Sequence, residues 1–246
     1  MTIVATILTG LRLDLLQRTI GSSRPYLEQC DRVIVFHAAN DEETAEYLGG
    51  LPFESYQPKE LVPLKSAVFR HSNGAATSAC AMLAAKTGCE LWMHVEDDWC
   101  LAPELVAQHP DWFTDAQDVA LMPQVGQVRL REERHLGDLV QTPAGLRGVG
   151  GCANMNWVDG RETAWQTIPG AKVMLGNAHY TFNPFIMRTA LIGGVLQPSG
   201  EPIRGVFPAD NERHAMARFY ALNLHVAQMR PGVYRHIGEG RHVGQH

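Results

Sequence analysis

No CxxC pair occurs among the five cysteines, Cys30, Cys80, Cys89, Cys100 and Cys152. An odd number without paired spacing argues against a zinc ribbon and against a disulfide framework; reduced thiols in a cytoplasmic protein fit better. No uninterrupted apolar run approaches the ~20 residues that a membrane-spanning helix needs, so no integral membrane contact is expected. The opening "MTIVATILTGLRLD" lacks a basic start and a long apolar core, and is not read as a signal peptide. There is no excess of positive charge: 21 Lys and Arg stand against 26 Asp and Glu, a net of −5. That balance excludes a basic nucleic-acid coat but not a local strip, for which Arg129, Arg131 and Arg134 are the candidates, with Glu132 and Glu133 able to neutralise them. Internal repeats and linkers are also missing. The 246 residues, 45% of them hydrophobic, supply core enough for one domain over 1–246.

The first hundred residues alternate in type. "TIVATIL" (2–8) is apolar and β-branched and is broken by Thr9-Gly10, which predicts a buried strand. "LDLLQRTIGSS" has leucine and isoleucine at helical spacing and ends at Gly21-Ser22-Ser23. "DRVIVFH" (31–37) predicts a second strand, and "NDEETAEYLGG" a helix capped by Asn40 or Asp41. "GAATSACAMLAAKTG" (74–88) predicts an alanine-rich helix and "ELWMHV" another strand. This alternation implies a mainly parallel sheet with crossover helices. Ligands of such sheets bind beyond the carboxyl ends of the strands, where Thr9-Gly10, His37 and Glu96-Asp97-Asp98 all fall. The second half is less regular. "DVALMPQVGQVRL" suggests two short strands, "NAHYTFNPFIMRTALIGG" an extended piece feeding a helix at Asn183-Pro184, and "ADNERHAMARFYALNL" (209–224) a helix capped by Asp210.

The acids at 96–98 carry the chemistry. Adjacent carboxylates at a rigid strand end repel one another, and a divalent cation relieves that repulsion. Mg²⁺ and Mn²⁺ take oxygen ligands and commonly bridge one or two carboxylates to substrate phosphates. A solvated acidic turn would look the same, but the buried strand leading into it favours the metal. Trp99 follows at once, placed either to stack on a sugar or base or to pack in the core. His94, alternating within the strand, reads as a core or supporting histidine.

On these motifs the chain resembles the nucleotide-sugar glycosyltransferases of GT-A fold, family 2 in style. "VEDDW" looks like an EDD variant of their DxD motif. "TILTGLRLDLLQRTIGSS" is similar to their opening strand, turn, arginine and "LxxTLxSL" helix. The resemblance implies a Rossmann-like α/β fold, with residues 1–100 binding the nucleotide-sugar and 101–246 forming an irregular acceptor side. It implies Asp98 as principal ligand of Mn²⁺ or Mg²⁺, Glu96 facing the ribose or a metal-bound water, and Asp97 supporting the loop. Thr9, Gly10 and Arg12 would hold the nucleotide of a donor, a UDP-sugar by preference. His37 stands near the place where the family usually has an aspartate for the base. "YRHIGEGRH" looks like the late histidine loop, which implies His236 as a further metal ligand and Arg241 near the diphosphate. "TFNPFIMR" resembles an acceptor-side segment, with Asn183 and Arg188 as its candidates.

An inverting transfer needs a base at the acceptor hydroxyl. "PADNERHAMARF" resembles the acidic segment that holds it. Glu212 is preferred, because Asp210 also serves as a helix cap. The expected acceptor is a glycan or a hydroxylated base in nucleic acid, as in DNA modification of the phage type. A nucleotidyltransferase or pyrophosphorylase is the alternative within the fold, although "TGLRLD" is a poor phosphate loop; a non-catalytic nucleotide-sugar-binding module is the third reading.

Overall fold

The structure, a computed structural model, describes residues 1–38, 41–57, 73–132, 139–142, 145–148, 166–167, 173–176, 184–193, 205–207, 215, 218–219, 221–229 and 231–238. The chain begins with β1 (Ile3–Thr9), α1 (Leu13–Leu27), β2 (Arg32–His37), α2 (Glu42–Gly49), β3 (Glu54–Tyr56), α3 (Asn73–Lys86) and β4 (Leu91–Glu96). It continues with β5 (Trp99–Leu101), α4 (Pro103–Gln108), α5 (Trp112–Leu121), β6 (Val125–Arg129), β7 (Leu139–Thr142), β8 (Gly145–Gly148), β9 (Gln166–Thr167) and β10 (Val173–Gly176). The last strands are β11 (Phe185–Arg188), β12 (His225–Met229) and β13 (Tyr234–His236).

Nine strands form one sheet in the order β3-β2-β1-β4-β11-β6-β12-β10-β9. β3, β2, β1 and β4 are parallel neighbours, and β12 is parallel to β6. Only β10 and β11 run against the other seven strands. The chain lays β2 and β3 on one side of β1 and then β4 on the other. The crevice between the carboxyl ends of β1 and β4 is therefore a topological switch point, the usual ligand site of such sheets.

Strand alternation sends side chains to two cores. Ile3, Ala5, Ile7, Val33, Val35, Leu91, Met93 and Val95 meet Leu16, Ile20 and Leu27 of α1 and Trp112, Phe113 and Ala116 of α5 on one face. Val4, Leu8, Ile34, Phe36, Trp92, Phe185 and Met187 meet the alanines of α3 on the other. Among the described residues no helix is long and apolar enough to cross a membrane.

Three expectations are corrected. Helix α1 does not stop at Gly21-Ser22-Ser23 but runs through Pro25 to Leu27. Those small residues have partners in the fold: the Ser22 hydroxyl accepts from Leu101 N–H at 3.1 Å, and the Tyr234 hydroxyl lies 3.2 Å from Ser23 Oγ. "DVAL" is the end of α5 rather than a strand, because Val119 and Ala120 are buried at helical spacing with Ala116. The segment after Pro184 is β11, inserted between β4 and β6, and only a 3-10 turn at Thr189–Leu191 follows it. The greater part of 209–224 lies outside the described residues.

Asp41 caps α2, its Oδ1 accepting from Thr44 N–H at 2.8 Å. That backbone bond, aided by His37, holds its carboxyl down to about 2. Asp41→Ala should cost about 1 kcal/mol of stability, read from urea unfolding. A carboxyl depressed in the folded state stabilises above its unfolded value of ~3.9 and loses that contribution as pH falls towards about 2. The gap between wild type and variant should therefore close on acidification through that window; a constant gap would count against the assignment.

Candidate active site

The switch point is built around Asp97, which is fully buried. Its Oδ2 accepts from the Thr9 hydroxyl at 2.9 Å and from Gly10 N–H at 3.0 Å, and its Oδ1 pairs with Arg12 Nη2. Its N–H donates to Leu8 O at 2.9 Å, and its carbonyl accepts from the Thr19 hydroxyl at 2.8 Å. One carboxylate thus ties the turn after β1, the turn after β4 and helix α1 together. Burial pushes the Asp97 carboxyl up, against the pull of Arg12, Gly10 and Thr9.

Asp98, also buried, lies beside Asp97. Arg12 forks across both acids, its Nη1 reaching Asp98 Oδ2 at 2.7 Å. His236 Nε2 lies 3.3 Å from the same oxygen. The late loop arrives there because β13 pairs antiparallel with β5, placing His236 opposite Trp99, and because Ile237 N–H donates to Asp98 O at 2.8 Å. Burial works to raise the Asp98 carboxyl, but His236 and Arg12 outweigh it and the group lies below its ordinary value. Arg12 is correspondingly raised: burial opposes its charge, and the two carboxylates overcome that.

The residues fit a divalent cation. Asp98 Oδ1 is buried without a hydrogen-bond partner, next to an imidazole nitrogen at the other oxygen. That supplies one hard oxygen and one nitrogen, leaving remaining positions for water and phosphate oxygens, the habit of Mg²⁺ and Mn²⁺ sites. Among the described residues no group of three His, Cys, Asp or Glu could hold an ion unaided.

The other expected residues are placed as follows. Thr9 and Gly10 face Asp97, as described. Glu96 ends β4 in register with Leu8, half-buried. His37 ends β2 in register with Thr9; its Nε2 lies 2.8 Å from Asp41 Oδ2, and its buried Nδ1 has no partner. Trp99 is buried in the core beside α1 and tilts against the His236 ring at 5.1 Å, so it orients the histidine rather than offering a stacking face. Arg188 is not brought to the site. Antiparallel β11 carries it to the amino end of β4, opposite Leu91, where its Nη2 braces Pro123 O at 3.0 Å and Val125 O at 2.9 Å. The surface strip of arginines does not form either, since Arg129 and Arg131 are both buried. Asn183, Asp210, Glu212, Arg241 and Arg134 lie outside the described residues.

Two contributors were not singled out from the sequence. Thr19 is the threonine of the "LxxTLxSL"-like helix, and that motif was its signal. Gly238 sits where an added Cβ would stand 3.0 Å from Asp98 Cβ and Oδ2, so a larger residue would push the histidine loop off the acids.

The strand order and the acid-ended strand at the switch point define the GT-A fold of the nucleotide-sugar glycosyltransferases. Glucosyl-3-phosphoglycerate synthase from Mycobacterium tuberculosis, in complex with Mn²⁺, UDP-glucose and phosphoglyceric acid, has this fold. It matches with a TM-score of 0.52 at 14% identity, over 96% of this chain and 71% of that one. The same enzyme with Mg²⁺ and UDP gives a TM-score of 0.50 at 12% identity, over 96% and 71%. No protein-family model and no curated protein sequence matches the chain.

The Arg12 clamp should carry stability as well as binding. Removing one partner of a buried ion pair strands the other, at a cost of roughly 3 kcal/mol or more. Arg12→Ala should lower the unfolding free energy by that order, whereas Asp98→Asn, which also removes a like charge beside Asp97, should cost much less. Equal urea midpoints for Arg12→Ala and wild type would show that the clamp does not hold the turn.

Proposed function

We propose that the chain is a divalent-metal-dependent glycosyltransferase that moves a sugar from a UDP-sugar to an acceptor hydroxyl, with inversion. The observation that carries this reading is the convergence of Asp98, His236 and Arg12 beyond the end of β4. The fold shared with a UDP-glucose enzyme supports it. Both halves of one domain contribute: the first supplies Arg12 and Asp98, and the second supplies His236.

Asp98 and His236 would hold the cation, which when bound neutralises the diphosphate leaving group. Asp97 keeps the Thr9–Arg12 turn in place, so the nucleotide meets a preorganised surface. Arg12 is the movable part. In the pairing described above it neutralises Asp98; with the cation taking that role, its Nη1 is free to turn a donor towards the diphosphate, while Nη2 stays on Asp97. Glu96 would serve the ribose, Arg241 the diphosphate, and His37 the base. The acceptor hydroxyl attacks the anomeric carbon, UDP departs with the bonding pair, and the hydroxyl proton passes to Glu212, with Asp210 as the other candidate.

Asp98→Ala or excess chelator should abolish transfer from UDP-glucose and remove the Mn²⁺-dependent thermal shift produced by UDP. Glu212→Ala should keep that shift while slowing turnover by about 10²–10⁴-fold. Full activity of Asp98→Ala would overturn the metal-dependent mechanism. A thermal-shift screen of nucleotide-sugars, each with and without Mn²⁺, would identify the donor in the same experiment.

A further inference from the structure

Across the α3 face, at one level of the sheet, runs a row of side chains in register. Thr6 of β1 pairs with His94 of β4, His94 with Phe185 of β11, Phe185 with Arg129 of β6, and Arg129 with Gln228 of β12. Their common face follows from alternation. Trp92, Phe185 and Val226 lie in the α3-side core, while Val128, Leu130, Ala227 and Met229 lie in the other. Every polar member is buried, and Arg129 is only 2% exposed.

This row is incompletely paired. Arg129 Nε and Nη2 have no hydrogen-bond partner. The neighbouring Gln228 donates its amide to Arg131 O at 2.9 Å and to Met229 O at 3.0 Å, and its Oε1 is left over. Trp92 Nε1–H donates to the Thr6 hydroxyl at 2.7 Å, and the hydroxyl proton is then available to His94 Nδ1 at 2.9 Å. The other ring nitrogen, His94 Nε2, is buried and unpartnered. Burial lowers His94 to about 3, so the ring is neutral. The row therefore presents unpartnered nitrogens on both sides of Phe185, those of Arg129 belonging to a permanent cation. A buried guanidinium without an anion is costly, and a neutral amide oxygen cannot offset its charge. Neighbouring strands lie ~4.8 Å apart, so Arg129 is only about 10 Å across the sheet from His94, two residues before Glu96. It closes β6 at the same sheet edge as the acids, and the chain after it bridges through Arg131 to Tyr234, two residues from His236.

We propose that Arg129 is the anion anchor of the acceptor pocket, taking the phosphate or carboxylate of a small acceptor, with His94 Nε2 beside it. This rests on the glycosyltransferase reading and narrows its acceptor. A guanidinium at this depth reaches a compact molecule that enters the sheet edge, not the backbone of a polymer lying across it. Arg129 fixes the acceptor's orientation and takes no part in the proton transfer.

The test is calorimetric titration of glycerol phosphate, glycerate, glycerol and a short single-stranded oligonucleotide into the full chain, with UDP and Mn²⁺ present to fill the diphosphate site. Wild type should bind the two anionic probes and not glycerol. Arg129→Gln should weaken anion binding by at least tenfold while leaving UDP binding unchanged, and Arg129→Lys should retain part of it. Should the glutamine variant fail to fold, the lysine variant still reads a loss, because it keeps charge but not the fork. Equal binding of glycerol, binding of the oligonucleotide alone, no binding of either anionic probe, or wild-type anion affinity in both variants would each overturn the proposal. UDP binding is recorded separately: its absence beside an Arg129-dependent anion site would sink the transferase reading and reduce Arg129 to an anion site without an acceptor role, whereas UDP binding without an Arg129-dependent anion site would sink this proposal alone.

Discussion

Asp97 is the point on which the rest of the site depends. A carboxylate removed from water is tolerable only when its lone pairs are filled, and here they are filled by Thr9, Gly10 and Arg12. Those three residues lie in one turn, the one that follows β1. The bond network therefore works as a rivet across the switch point, joining the ends of two adjacent parallel strands. With the turn held, Arg12 is aimed at Asp98 and Asp98 at the late loop. The crowding of acids at 96–98 is resolved by unequal roles: one aspartate is spent on the turn after β1, and the next meets Arg12 and the late histidine loop.

This division makes the site's charge balance conditional. Arg12 serves two carboxylates, 30% of its side chain remains in contact with solvent, and the bond to Asp98 is the more exposed of its two. A divalent cation and an arginine satisfy the same electrostatic demand at Asp98, so they compete for it. The buried bond to Asp97 has no such competitor. Were a cation to take Asp98, Arg12 Nη1 would be released while Nη2 kept its bond to Asp97.

Much of this was legible in the sequence because it rests on local pattern. Apolar strands followed by turn residues marked β1, β2 and β4, and their alternation with helices implied the parallel half. Acids at a strand end announced the site. What escaped was tertiary. Gly21-Ser22-Ser23 carries every local mark of a helix end, yet the serines bond β5 and β13, and the helix continues over them. The segment after Pro184 has a helix-start residue but fills a gap between β4 and β6, where only an extended strand completes the ladders. Arg188 goes with it to the wrong end of the sheet, because an antiparallel insertion reverses which end of a strand meets the site. Trp99 beside the acids looked like a ligand contact, but a strand of alternating burial turns it inwards.

The same distinction explains why Arg129 and Arg131 misled as a basic strip. "RLREER" is locally indistinguishable from a solvated charged face. Only the register of β6 between β11 and β12 shows that the strand is central and its side chains are buried. A charge on a central strand cannot be there for solubility, and the penalty for holding it without a partner is too large to be incidental. In this fold the two halves of the sheet meet that penalty differently. On the donor side the buried Asp97 brings its own cation, Arg12. Across the sheet, on β6, the buried Arg129 has no anion among the described residues that bonds its Nε or Nη2. The buried acid of one half is thus completed internally, while the buried guanidinium of the other keeps two nitrogens unpartnered.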